Sequence, residues 1–373
     1  MFETPEIVTS TTSGSPRRGP AEVLSIQFLR FVAAFAVVIF HSQQALTKGA
    51  PGTLGYWFEL GAAGVHVFFV ISGFVIMHTS FGGTDVGMPT KRFLLRRFVR
   101  IFPIYWLCCA AYVAYHQSFG TPYELTPLQW LGAFLLLPVQ SSAIIGPGWT
   151  LSYELYFYIC FAALLWLPAL SALLVLTGFF VGSIALGVLV GFTGPLAIGT
   201  NPLILEFCAG CWLGYFFARR KVGTRPLGLS LVAIGVVMFI LGALIDYRTV
   251  PLSVIWGIPS ILLVTGCLLF EQAGPLPRLL RRLSHLGDSS YVLYLIHILC
   301  ITIVLDIGFD ALVPMAPIDS VVGAIILSMV CAALAAAIFH FIEKPMLKWL
   351  RRNVVDRFSS RRPTPSSVEA LNP

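Results

Sequence analysis

The sequence predicts an all-α polytopic membrane protein of about ten transmembrane helices with both termini cytoplasmic. Three observations carry that expectation. Of the 373 residues, 57% are hydrophobic and only 11% charged, whereas soluble domains carry about 25% charged residues. Apolar runs of spanning length recur along the chain, and a bilayer core takes about 20 such residues per helix. Lys and Arg collect in alternate linkers, the pattern of cytoplasmic loops.

Taken in order, the polar start (1–22) is expected to be a disordered cytoplasmic tail. It is too long and too rich in Ser, Thr and Pro for a charged n-region, so the first helix is read as retained, with no cleaved signal peptide. Spanning runs follow near 24–46, 62–80, 101–118, 149–168, 170–192, 201–218, 227–246, 252–270, 290–308 and 320–341. A shorter run at 129–138 has the length of a re-entrant or interfacial piece. Basic clusters at Arg17–Arg18, Lys91–Arg100, Arg219–Arg225, Arg278–Arg282 and Lys344–Arg352 read as cytoplasmic. The linkers at 47–61, 119–128, 193–200, 247–251 and 309–319 are nearly free of Lys and Arg and read as external. An odd number of crossings must then separate the 119 linker from the 219 cluster, which makes 129–138 non-spanning. The transmembrane domain is expected over 23–347 and a cytoplasmic tail over 348–373, polar and disordered after Leu350. No soluble catalytic domain fits.

The net charge of +7 is spread over those short clusters and forms no single face, which excludes nucleic acid as a partner and points to membrane lipids instead. All eight cysteines lie in apolar segments, where a free Cys behaves as a small hydrophobe. Cys208 and Cys211 have CxxC spacing, but no second Cys or His pair joins them, so no metal and no disulfide is expected.

Chemistry is read from ionisable residues that apolar segments tolerate at a cost of about 2.5–3.5 kcal/mol each. In VLSIQFLRFVAAFAVVIFHSQQAL, Arg30 and His41 fall within about 20° of one helix face and about 16 Å apart along the axis. The plainer reading is a snorkelling arginine and a structural histidine. His66 sits among Gly64 and Gly73, small residues that first signal helix packing. Arg97, Arg100 and Pro103 are spaced three apart at a helix entrance; guanidinium groups there suit either lipid head groups or a phosphorylated donor. Trp149 opens the fourth span and Glu154 follows inside it. Counting from the external boundary puts Glu154 and His41 at one depth, where a carboxylate could orient an imidazole. Glu206 is buried near the outer end of NPLILEFCAGCWLG, whose Gly210 and Gly214 are four apart, another packing signature. Asp288 and Ser289 form an N-cap before Tyr294 and His297, which places His297 in the inner layer with Arg30 and, with Arg97 and Arg100, in the donor-binding set. Glu343 of FIEKPM is expected to pair with a basic cluster.

These segments taken together resemble the acyltransferase 3 family of integral-membrane O-acyltransferases: Arg30-x10-His41, GVxxFFxISG at 64–73, RxxRxxP at 97–103, WTLxxExxFY at 149–158, EFxxGxxxG at 206–214, SYxLYLxH at 290–297 and EKP at 343–345. The resemblance runs from about 23 to 347, seven motifs in one order. It implies an enzyme of the bacterial inner membrane that moves an acyl group, acetyl above all, from acyl-CoA to a hydroxyl of an exopolysaccharide, O-antigen or lipo-chitooligosaccharide, lipid-linked or free. It also implies that His41 is the catalytic residue, Arg30 its partner, and Arg97 and Arg100 the acyl-CoA ligands, with no tightly bound cofactor. Two departures stand out. Leu155 occupies the place of a second acid found after the motif glutamate in many members, and the C-terminal extracytoplasmic SGNH domain of many members is lacking. The WTL form is more similar to the exopolysaccharide branch. His41 could serve as general base or carry the acyl group itself. The rival class, a transporter or flippase of a lipid-linked glycan, usually shows internal repeats and broken midplane helices, and the sequence shows neither.

Overall fold

A computed structural model describes residues 22–47, 60–138, 140–245, 250–308 and 317–357, and every regular element among them is a helix. The expected N-terminal tail and the chain beyond 357 lie outside the described residues. In order the main helices are α1 (Leu24–Leu46), α2 (Gly64–Phe81), α3 (Thr90–Ser118), α4 (Pro127–Phe134), α5 (Trp149–Ala162) and α6 (Ala169–Val190). They continue with α7 (Ile204–Arg219), α8 (Arg225–Gly242), α9 (Ile258–Gln272), α10 (Ser290–Asp306), α11 (Pro317–Ile338) and α12 (Lys344–Leu350). Among the described residues, nine helical stretches are long and apolar enough to cross a membrane. The chain is a multi-pass membrane protein.

The run at 129–138 belongs to an 8-residue helix, α4, too short to span at 1.5 Å per residue. A capping box holds its start, Thr126 and Gln129 each satisfying the other's backbone N–H. The expected fourth span is shorter than its apolar run. α5 has 14 residues and follows a 3₁₀ turn over Gly146–Gly148 in which Pro147 and Gly148 are buried.

Small residues set the helix contacts, as the sequence suggested. A Cβ on Gly73 would lie 2.0 Å from the Phe207 carbonyl oxygen, and one on Gly210 would lie 2.0 Å from that of Val70. These two glycines let the backbones of α2 and α7 touch, the main source of helix association where lipid offers no hydrophobic drive. Gly287 likewise abuts Gln27, with 2.0 Å between its would-be Cβ and the Gln27 carbonyl oxygen. That contact fixes the register of α10 against α1.

Two prolines shape the ends. Pro259 and Pro345 lie in first helical turns, and each follows a π-helical stretch, Ser253–Gly257 and Phe339–Glu343. Proline lacks the N–H for the preceding turn and crowds its carbonyl, which a wider turn accommodates. The helix does not stop at Leu350 as expected. It runs on through Arg351–Asp356, because Leu347 and Val355 bury against Val99 of α3.

The basic clusters within the described residues gather at one end of the bundle. There Arg219 pairs with Asp85 at 2.6 Å, Arg100 with Glu343 at 2.5 Å, and Glu271 accepts from the backbone N–H groups of Leu24 and Ser25 at 3.0 and 2.8 Å. A carboxylate at that place satisfies orphan donors of α1 and meets the positive end of its dipole.

Candidate active site

A cavity of about 1110 Å³ opens between α1, α2, α3, α5, α10 and the C-terminal helix. That is at or above the roughly 300–1,000 Å³ of drug-sized ligand sites. Eight Arg and Lys side chains and four carboxylates line it, so its field favours an anion. The basic groups concentrate at one end; the other end closes on Val65, Phe68, Thr150 and Tyr294.

Arg97 and Arg100 are both on the wall but in different electrostatic states. Arg97 stacks over Phe93 and Tyr158, 5.3 Å from each ring centroid, and donates to the Thr79 hydroxyl at 3.1 Å. Its Nε has no partner. Arg100 gives its charge to the fully buried Glu343, which the π-helical stretch turns toward it, and lies over the Tyr291 ring at 5.2 Å. The expected pairing of Glu343 with a basic cluster is realised here. Arg97 is the guanidinium left for an incoming anion.

Arg30 lines the same cavity, half-buried, and donates to Gln27 Oε1 at 3.2 Å. Glu154, Glu343 and Asp288 offset its charge, while Arg100 opposes it. Glu154 accepts from the Ser72 hydroxyl at 2.6 Å and from the Tyr158 hydroxyl.

Deeper in, Thr150 and Tyr294 share a hydroxyl–hydroxyl bond of 2.9 Å. One turn further along α10, His297 is completely buried. Its Nδ1 lies 2.8 Å from the Tyr294 carbonyl oxygen. A carbonyl only accepts, so Nδ1 carries the proton and Nε2 presents a lone pair. That Nε2 has no partner. The His41 ring is 5.1 Å away, tilted 33°, and Gln44 is within hydrogen-bonding reach of it.

Two placements from sequence are corrected. Glu154 does not meet His41; it sits with Ser72, Tyr158 and Arg30. The depth count assumed that α5 starts at the membrane boundary, but its start is sunk to the level of Tyr294, whose hydroxyl reaches the Pro147 carbonyl at 3.3 Å. Glu154, a turn beyond Thr150, therefore falls in the layer of Arg30. His297 in turn does not share that layer; it sits beside His41. From the Gln27–Gly287 contact, fourteen residues of α1 and ten of a chain that is partly 3₁₀ both rise by about 15–21 Å, which brings the two histidines together.

His66 and Glu206, singled out separately, form a buried pair at 2.7 Å, and neither lines the cavity. Sequence reasoning missed Ser72, Thr150 and the inward-facing side of the C-terminal helix. For the last a signal was present: Lys344, Lys348 and Arg351 at i, i+4 and i+7 share one helix face. Among the described residues no group of three or more His, Cys, Asp or Glu side chains is placed to hold a metal ion.

The sequence pattern of an acyltransferase domain matches residues 23–337. The chain belongs to the acyltransferase 3 family. It is similar to the exopolysaccharide production protein ExoZ of Rhizobium meliloti (strain 1021), 33% identical over 303 residues, covering 79% of this chain and 92% of that one. It is also similar to nodulation protein 10 of Rhizobium leguminosarum bv. viciae, 25% identical over 369 residues, covering 89% and 95% of the two chains. No solved structure matches significantly. The family makes this chain an acyltransferase.

Proposed function

We propose that this membrane acyltransferase moves an acyl group, acetyl in the simplest case, from acyl-CoA to a hydroxyl of a cell-surface or secreted carbohydrate at the bacterial inner membrane. The observation that carries the reading is the polarity of the cavity, basic at one end and closed at the other by Tyr294, whose ring lies 5.9 Å from that of the buried His297, itself 5.1 Å from the His41 ring. Phosphates suit the first end, where Arg97 faces inward, and proton transfer suits the second. The exopolysaccharide production named for one relative supports a carbohydrate acceptor.

In this mechanism the acceptor hydroxyl attacks the thioester carbonyl while His41 takes its proton. The tetrahedral intermediate collapses, the C–S bond breaks, and the departing thiolate receives that proton from His41. The alternative has the His41 ring attack first, release CoA and pass the acyl group to the hydroxyl in a second step. In either case His297 takes the orienting part that the sequence gave to Glu154, since its ring lies 5.1 Å from that of His41 and its unpartnered Nε2 is an acceptor for the His41 N–H once the ring turns toward it. Arg30 and Glu154 then hold the polar layer between the phosphates and the histidines.

The test is the purified protein in nanodiscs with acetyl-CoA and the glycan of its own host. Mass spectrometry should show acetyl groups on the glycan only when the protein is present, with CoA released in step. CoA binding with no acyl group ever reaching a carbohydrate would refute the reading.

A further inference from the structure

We propose that the C-terminal helical extension, Lys344 to Asp356, is half of a phosphate clamp, and that Lys344, Lys348 and Arg351 grip the phosphates of the acyl donor together with Arg96 and Arg97. The proposal rests on the reading of the cavity as an acyl-CoA site and adds to it a segment beyond residue 337, where the family pattern ends.

Four observations carry it. The three side chains recur at the spacing of one helix face, and all three line the cavity. Their register is fixed, because Leu347 and Val355 pack on Val99, two residues from Arg97 in the same α3 turn. Like charges are crowded there: Arg96 is opposed by Arg92, Arg351 and Arg97, with Asp356 as its offsetting carboxylate. Finally, Glu343 pairs with Arg100, and among the described residues no ion pair within 4 Å involves the side chain of Lys344, Lys348 or Arg351; Glu343 and Asp356 offset the Arg351 charge only from further away.

A concave surface that holds more cations than carboxylates at fixed spacing is stabilised when an anion enters, and several charge-assisted hydrogen bonds can form at once. Thr79 of α2 and the stacked Arg97 supply the far wall, so the ligand chemistry is a polyanionic phosphate group held between the last helix and α3. An anionic lipid head group shares that chemistry, but the cavity wall also includes Tyr158 and Glu154, which continue inward toward the histidines as a thioester arm requires.

The experiment uses the full chain in nanodiscs of either zwitterionic or anionic lipid and titrates coenzyme A against wild type and the K344Q/K348Q/R351Q variant. In zwitterionic discs the variant should bind CoA at least about tenfold more weakly, since three exposed contacts worth about threefold each multiply to more than that. K344R/K348R should bind nearly as wild type, and Lys348→Gln alone, the mildest change, should weaken binding about threefold or more if the triple variant unfolds. Equal CoA affinity for wild type and the glutamine variants would overturn the clamp, and a simultaneous loss of preference for anionic discs would assign the cluster to head groups. Wild-type protein that binds no CoA at all would instead overturn the underlying reading of the cavity.

Discussion

Arg97 and Arg100 look equivalent in sequence and are not equivalent in space. A guanidinium already bound to a buried carboxylate contributes to the fold before any ligand arrives, whereas Arg97 keeps an Nε without a partner. Arg97→Ala should therefore raise the apparent KM for acyl-CoA about tenfold or more and leave that for the acceptor nearly unchanged, as steady-state kinetics with each substrate varied would show. Equal effects on both substrates would make Arg97 a structural residue. Arg100→Ala should act through the fold, because it strands the Glu343 charge in the interior, a change that typically costs about 3–5 kcal/mol; a lowered Tm in detergent is the readout. Arg30→Lys keeps the charge but loses the planar fork that spans Gln27 and the cavity. It should lower turnover while insertion stays normal, and unchanged turnover would reduce Arg30 to a snorkelling side chain.

At the scale of elements, the ends of helices decide more than their middles. Glu271 closes the start of α1, the helix that carries both Arg30 and His41, by accepting two of its backbone N–H groups. Glu271→Ala should cost about 1 kcal/mol of stability, seen as a lower Tm, with CoA affinity retained. Element ends also explain what the sequence could and could not tell. Apolar runs marked most helices to within a few residues, and Gly73, Gly210 and Gly214 announced the close contact of α2 with α7. The pairing of site residues was less legible. Glu154 and His297 stand out in sequence as polar residues of apolar segments, but their partners depend on where α5 starts and on how α10 registers against α1. Both are set by backbone contacts at Pro147 and Gly287, which no periodicity reports. The helical run past Leu350 was hidden for a similar reason: a polar, charge-rich stretch reads as a tail until Leu347 and Val355 are seen against Val99.

For the whole molecule, the Lys and Arg clusters that lie far apart in sequence converge at one end, joined by contacts such as Arg219–Asp85 and Arg100–Glu343. By the positive-inside rule that end is expected in the cytoplasm, the side from which the proposed acyl-CoA donor would enter. A cysteine placed at Arg220 should resist membrane-impermeant thiol reagents in intact cells and one placed at Gly120 should react; the reverse would invert the topology. The proposed mechanism needs the cavity, which ends at Tyr294, and the adjoining His297–His41 pair to form one route from phosphate to reacting hydroxyl. The most direct test is His41→Ala, assayed for acyl transfer and for CoA binding on the same preparation. Transfer should fall by at least about a hundredfold, the lower end of what a general base contributes, while the Kd for CoA stays at the wild-type value because the phosphates bind far from the ring. A well-inserted His41→Ala protein that retained more than about a hundredth of wild-type turnover would contradict the account.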